Sequence, residues 1–256
     1  MDLGIKGRVA VVTGAASKQG IGRAIALALA REGANVAVTD IVFEELQLVA
    51  TEIKGMGRKA MALKVDQGIY DEVKQAVAKI GQELGPIDIL VNNAAITSNL
   101  GNVSKMPVAA WEKEINVNLN GAYYWTREVL PSMAQRKWGR IVNMSSLAAI
   151  LGFLGQPSYA ASKGGLVAFT KTVAQETAKN GVTANAVSLG MINTRIYQTG
   201  QFRTEVVEGL QRRLPIGRMA EPSEVADLVV FLASDRARYI TGANIVFDGG
   251  VSLSIM

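Results

Sequence analysis

The 256-residue chain contains no histidine and no cysteine. Those two absences exclude a Ser-His-Asp or Cys-His nucleophile pair, histidine acid/base chemistry, thiolate zinc sites and a disulfide framework. Any proton transfer falls to Asp, Glu, Lys or Tyr, whose ordinary pKa values near ~4 or ~10 must be moved by their surroundings. No metal is expected. Proline is also scarce, at 6 against 26 glycines, and no Pro/Gly/Ser-rich linker divides the chain, so residues 1–256 read as one domain. At 49% apolar and 19% charged, the composition is that of an ordinary globular protein long enough to bury a real core.

Charge of one sign is not concentrated either. The net charge is +5, yet Lys and Arg never run longer than pairs such as Arg58-Lys59, Arg136-Lys137 and Arg212-Arg213, which argues against nucleic acid as a partner. The start, Met1 to Lys6, lacks the charged-then-apolar pattern of a secretory signal, and a cytoplasmic location is expected. One stretch is long enough on paper to span a bilayer: Ile141 to Ser162 holds 22 residues without a formal charge. Asn143, Ser145, Ser146, Gln156 and Ser158 interrupt its apolarity, so no membrane span is expected.

What the chain has in quantity is alternation. Short apolar runs at 9–12, 36–38, 60–65, 87–91, 140–142, 182–187 and 244–247 read as seven strands. Between them, helical spacing recurs at Ile21, Ile25, Ala28 and Leu29, at Val73, Ala76, Val77, Ile80 and Leu84, and at Val225, Leu228, Val229 and Leu232. Repeated βα units with nearly continuous apolar strands predict an α/β fold: a Rossmann-like, doubly wound parallel sheet with helices on both faces. Residues 190–214 break the rhythm, being too long for an ordinary βα connection, and are expected to form a substrate lid.

The first strand runs into Thr13-Gly14-Ala15-Ala16-Ser17-Lys18-Gln19-Gly20-Ile21-Gly22 and then a helix. Glycines let the backbone approach a pyrophosphate, and the free N–H groups of the following helix hold the anion. Gly14, Ser17, Gln19, Gly20 and Ile21 are therefore candidate cofactor contacts. The second strand ends at Asp40, 26 residues after Gly14, where a carboxylate accepts from an adenosine ribose diol and repels a 2′-phosphate. That favours NAD over NADP, although Lys18 beside the turn is a cation suited to a 2′-phosphate.

Tyr159 and Lys163 stand four apart near the start of a helix expected over 158–180, so both project from one face. A phenol transfers protons near neutral pH if an ammonium stabilises its phenolate, and moving its pKa from ~10 to ~7 takes about 4 kcal/mol. Thirteen residues upstream of Tyr159, Ser146 follows a strand at the carboxyl edge of the sheet, where ligands bind in this architecture.

With these residues assembled, the chain resembles a classical short-chain dehydrogenase/reductase over essentially its full length. The matching pieces are Thr13-Gly14 to Gly20-Ile21-Gly22, Asn92-Asn93-Ala94-Ala95, Asn116-Val117-Asn118-Leu119, Ser146, Tyr159-Ala-Ala-Ser-Lys163 and Ile240-Thr241-Gly242 to Asp248-Gly249-Gly250. The resemblance implies that Tyr159 is the general acid/base, Lys163 its tuning and ribose-binding partner, Ser146 the carbonyl-positioning group and Asn118 part of a proton path. It also implies Asp66 and Gln67 at the adenine, Asn93 against the cofactor, Ile192 and Thr194 beside the nicotinamide carboxamide, and a homotetramer built on helices around 107–136 and 158–180. Three departures stand out: the glycine turn is two residues longer than the family's usual interval, Leu189-Gly190 replaces Pro-Gly, and Ala95 replaces a glycine.

The first functional reading is an NAD-dependent oxidoreductase interconverting a secondary alcohol and a ketone. Its candidate pocket, Ile96, Ser98, Leu147, Phe153, Gln156, Met191 and Tyr197 with Ala149 and Leu151, is mostly apolar, while Arg195 and Arg203 leave room for an acidic group. The second is a 3-oxoacyl-thioester reductase using NADPH, whose acidic carrier protein would suit the basic surface; Asp40 counts against it. A non-catalytic dinucleotide-binding module is the third.

Overall fold

The computed structural model describes residues 2–97, 101–195, 209 and 211–253. Its framework is a parallel sheet of seven strands: β1 (Val9–Thr13), β2 (Asn35–Asp40), β3 (Ala60–Lys64), β4 (Ile89–Asn92), β5 (Gly139–Ser146), β6 (Val182–Leu189) and β7 (Asn244–Phe247). They lie in the order β3-β2-β1-β4-β5-β6-β7. Between them run α1 (Ile21–Arg31), α2 (Phe43–Gly55), α3 (Tyr70–Glu83), α4 (Val108–Ile115), α5 (Gly121–Gln135), α6 (Ala148–Leu151), α7 (Pro157–Thr177) and α8 (Pro222–Leu232).

The period of two along each strand divides the core. Ala10 and Val12 of β1 face one way, onto Ile25 and Leu29 of α1, Leu46 and Ile53 of α2, and Val225 and Val229 of α8. Val9 and Val11 face the other way, onto Val73 and Ile80 of α3, Trp125 and Val129 of α5, and Val173 of α7. Burial on both sides is why the strands lack the apolar/polar alternation of a half-exposed sheet. The uncharged window 141–162 is accounted for by a buried strand, a short helix and the start of α7, and among the described residues no helix is long and apolar enough to cross a membrane.

Strand ends differ from sequence expectation in one place that matters. β5 runs to Ser146 rather than stopping near residue 142, because Ser145 and Ser146 stay in register with Ser188 and Leu189 of β6. Parallel pairing places every strand's carboxyl end on one edge, and the winding reverses between β1 and β4, the place where a crevice opens in such sheets.

Candidate active site

At that crevice Gly14 follows β1 with φ +67°, and a Cβ there would sit 2.6 Å from Ala94 Cα. Only glycine satisfies both the backbone angle and the contact. Asn93, following β4, donates its side-chain amide to the carbonyls of Thr13 and Gly14, both at 2.9 Å, and its N–H to Thr13 Oγ1 at 3.0 Å. Its side-chain amide thus holds the turn, while the residue itself lines the cavity beside it. Gly22 packs on the same carbonyl, where a Cβ would lie 2.3 Å from Gly14 O. The N-cap of α1 is Gly20, with no side-chain cap, so the first amides of this 11-residue helix have no side-chain acceptor at the cap.

A cavity of about 410 Å³ opens beside this turn, lined by Gly14, Ser17, Asp40, Asp66, Gln67 and Asn93 among others. These residues fit a dinucleotide: the glycine of the turn and the carboxylate meet at one cavity, and the same turn leads into the uncapped end of α1. Asp40 Oδ2 accepts from Ala16 N–H at 3.1 Å and Oδ1 from Ile41 N–H at 2.8 Å, which pins the carboxylate at the end of β2. Lys18 pairs with Glu45 of α2 at 3.7 Å, so the cation suited to a 2′-phosphate already has an acidic partner. Sequence reasoning missed Glu45, because nothing local ties a helix residue to a turn 27 positions earlier. Gln67 lines the cavity but donates to the carbonyls of Ala94 (3.0 Å) and Val117 (2.7 Å), and Asp66 accepts from Gly68 N–H. Gln67 Nε2 is therefore spent on the scaffold, while its buried Oε1 has no partner among the described residues.

Ser146 ends β5 and accepts from Ala148 N–H at 3.2 Å. Lys163, one turn into α7 from Tyr159, is 3% exposed. Its ammonium donates to Met144 O at 2.7 Å and lies 5.6 Å from the centre of the Tyr159 ring. Burial pushes its pKa down to about 8. Ser145 Oγ donates to Lys163 O at 3.1 Å, tying α7 to the end of β5. The carboxyl end of β5 and the first turns of α7 thus bring Ser146, Tyr159 and Lys163 to one edge.

Asn118 lies beside this edge. It sits in a π-helical turn, Asn116–Asn120, between α4 and α5 and is 1% exposed. Its Oδ1 accepts from Ile96 N–H (2.8 Å), and its Nδ2 donates to Ile96 O (2.9 Å) and Ser162 Oγ (3.3 Å). The amide clamps the loop after β4 onto α7, the helix that carries Tyr159 and Lys163. Asn92 is likewise structural, donating to Asn143 Oδ1 at 2.8 Å.

The substrate-side residues divide. Leu147 and Ile96 are half-buried near the catalytic edge, and Phe153 is 56% exposed. Gln156 is buried as the N-cap of α7. Met191 instead lines a separate cavity with Leu214 and Phe247, because the bridge between Ile192 and Ala220 turns the segment that way. The Ile192 side chain is in the core, leaving only its main chain to face a ligand, and Thr194 N–H donates back to Ile192 O. Ser98, Tyr197 and Arg203, and most of the expected lid 190–214, lie outside the described residues. Among the described residues no cluster of metal-ligating side chains exists.

A family model described as enoyl-(acyl carrier protein) reductase matches residues 14–252. The chain belongs to the short-chain dehydrogenase/reductase family. It is 41% identical over 247 residues to the 3-oxoacyl-[acyl-carrier-protein] reductase FabG of Thermotoga maritima, covering 96% of this chain and 98% of that one. FabG of Aquifex aeolicus is 39% identical, covering 98% and 100%, and nodulation protein G of Azospirillum brasilense is 38% identical, covering 96% and 98%. A solved structure from Sinorhizobium meliloti, provisionally described as a short-chain alcohol dehydrogenase, superposes with TM-score 0.93 at 35% identity over the whole of both chains. Membership makes this short-chain dehydrogenase/reductase an oxidoreductase that binds a nicotinamide dinucleotide. Among specific activities, the relatives' names back the 3-oxoacyl-thioester reading more than the free-alcohol reading that the residues alone put first.

Proposed function

We propose that the chain is a cytoplasmic ketoreductase that reduces the 3-oxo group of an acyl thioester to a secondary alcohol, and catalyses the reverse reaction. The observation that carries the chemistry is the buried Lys163 ammonium, held between Met144 O and the Tyr159 ring at the end of β5. The choice of ketone rests on the FabG relatives, which match this chain nearly end to end. Leu151, Phe153 and Leu154, exposed between Ser146 and Tyr159, offer apolar surface to an acyl chain, and a pI of about 9.4 suits an acidic carrier protein.

The dinucleotide, held by the Gly14–Gly22 turn, Asp40 and Lys163, supplies the hydride when bound. Ser146 donates a hydrogen bond to the ketone oxygen and orients it. Tyr159 delivers its hydroxyl proton to that oxygen as negative charge develops there. Lys163 stabilises the phenolate left behind and, through Met144 O, stays fixed while it does so. Asn118 and Asn93 position these groups without touching the reacting atoms. The coenzyme assigned is NAD(H), since Asp40 opposes a 2′-phosphate and Lys18 is engaged by Glu45. Homotetramer assembly through the outer faces of α5 and α7 belongs to the same reading.

The same Asp40 geometry supports a second reading, NAD-dependent oxidation of a free secondary alcohol. Initial rates with acetoacetyl-CoA, the acetoacetyl carrier-protein thioester and a panel of free ketones and alcohols, each with NADH/NAD and NADPH/NADP, separate the two. Thioester rates at least tenfold above every free ketone are expected; a free alcohol or ketone preferred over both thioesters replaces the first reading with the second. A strong NADPH preference overturns the coenzyme assignment alone.

A further inference from the structure

The amino end of α7 presents an unusual arrangement. Its first helical residue is Pro157, and its N-cap, Gln156, makes no side-chain cap. Pro157 has no N–H to satisfy and its fixed φ suits the first helical position; the side chains that fasten this end come from other elements. Ser158, completely buried, donates its hydroxyl to Glu114 Oε2 of α4 at 2.5 Å, and Glu114 is 1% exposed. Four residues on, Ser162 Oγ meets the amide of Asn118 in the π-helical turn that follows α4. Burying a carboxyl group is costly unless it is hydrogen-bonded, and an acidic group at the amino end of a long helix stands on the favoured side of its dipole.

We infer that Glu114 is a positioning residue for the proton donor, acting through Ser158 to set the rotation of α7 about its axis. Ser158 and Ser162 are four apart and form one face of the helix, gripped by Glu114 of α4 and Asn118 of the turn after it. Tyr159 and Lys163 form the next face, one residue and about 100° further round. Gripping the serine face therefore fixes the direction in which the phenol and ammonium project. Loosening the grip at Ser158 lets the first turn shift by fractions of an ångström, with the tyrosine one residue away, while Lys163, a turn further on, stays held by Met144 O and the dinucleotide cradle on β1, α1 and β4 is untouched. The inference rests on Tyr159 being the proton donor.

The test uses the full-length enzyme with acetoacetyl-CoA, or the panel ketone turned over fastest, and measures kcat, KM, NADH dissociation by fluorescence and the thermal midpoint. Glu114→Leu and Ser158→Ala are each expected to lower kcat about tenfold, with KM and NADH affinity within about twofold of wild type. The double variant is expected to be no slower than the slower single one, since both remove the same contact. Glu114→Gln, which still accepts the Ser158 hydroxyl, restores at least half of the wild-type kcat. Independent, multiplying losses in the double variant, or a Glu114→Gln enzyme as slow as Glu114→Leu, overturn the inference. Should Glu114→Leu fail to fold, Ser158→Ala, which removes one oxygen, decides: unchanged kcat overturns it. Unchanged kcat in Ser158→Ala beside an inactive Tyr159→Phe rejects this inference only, whereas an active Tyr159→Phe rejects the acid/base reading beneath it.

Discussion

Lys163 concentrates the conflict between stability and function in a single side chain. Burial disfavours its charged form, so its pKa falls from 10.5 to about 8. Between those values the unfolded chain carries a proton that the folded chain has released; below about pH 8 both are protonated, and the fold bears the full cost of a buried cation. This group's contribution to stability thus improves as pH rises through that window. Lys163→Met is expected to raise the thermal midpoint by several degrees near pH 7, with the gain shrinking toward pH 10, and to lower turnover at least ~100-fold. Melting curves at the two pH values, with rates alongside, check both halves; a destabilised variant at neutral pH contradicts the burial argument. Tyr159→Phe removes one oxygen and the transferable proton. Turnover below a tenth of wild type with near-normal NADH binding is expected, measured by absorbance and fluorescence titration; a higher rate assigns the proton to another group.

Scaling up to elements, the site is a set of clamps between segments that end at the same sheet edge. Asn93 fastens the turn after β1 to the end of β4, Asn118 fastens the loop after β4 to α7, and Ser145 fastens β5 to α7. Asn93→Ala frees the carbonyls of Thr13 and Gly14 from two hydrogen bonds worth ~1 kcal/mol each. Dinucleotide affinity is expected to fall about tenfold, by NADH titration, with kcat at saturating coenzyme changed far less; unchanged affinity refutes the clamp. These roles were only half legible in the sequence. The Gly14 turn, Asp40 and the Tyr159–Lys163 spacing follow from local rules of chain geometry. That the Asn93, Gln67 and Asn118 amide nitrogens donate to backbone carbonyls depends on partners 22 to 80 residues away, and the bridge from Ile192 to Ala220, which sets the segment carrying Met191, is equally nonlocal.

For the molecule as a whole, a parallel sheet whose central strands are buried on both faces leaves the outer sides of the helices as an assembly surface. Tyr123, Leu130 and Pro131 of α5 and Phe169 and Val173 of α7 line an open groove of about 430 Å³ there. On the tetramer reading, sedimentation equilibrium is expected to return four times the 27.2 kDa chain mass, and Phe169→Glu is expected to lower it; a monodisperse monomer refutes the assembly.

By itself the sequence determined the class of chemistry and the architecture. A chain without histidine or cysteine has few proton donors to choose from, and the periods of two and 3.6 are backbone properties readable residue by residue. Tertiary structure alone decided which polar groups are spent on the scaffold and which remain for a ligand. Hydrogen-bond partners are chosen by proximity in space: β4 lies beside β1 and α4 beside the start of α7, and no local pattern encodes that Glu114 meets Ser158 or that Glu45 meets Lys18.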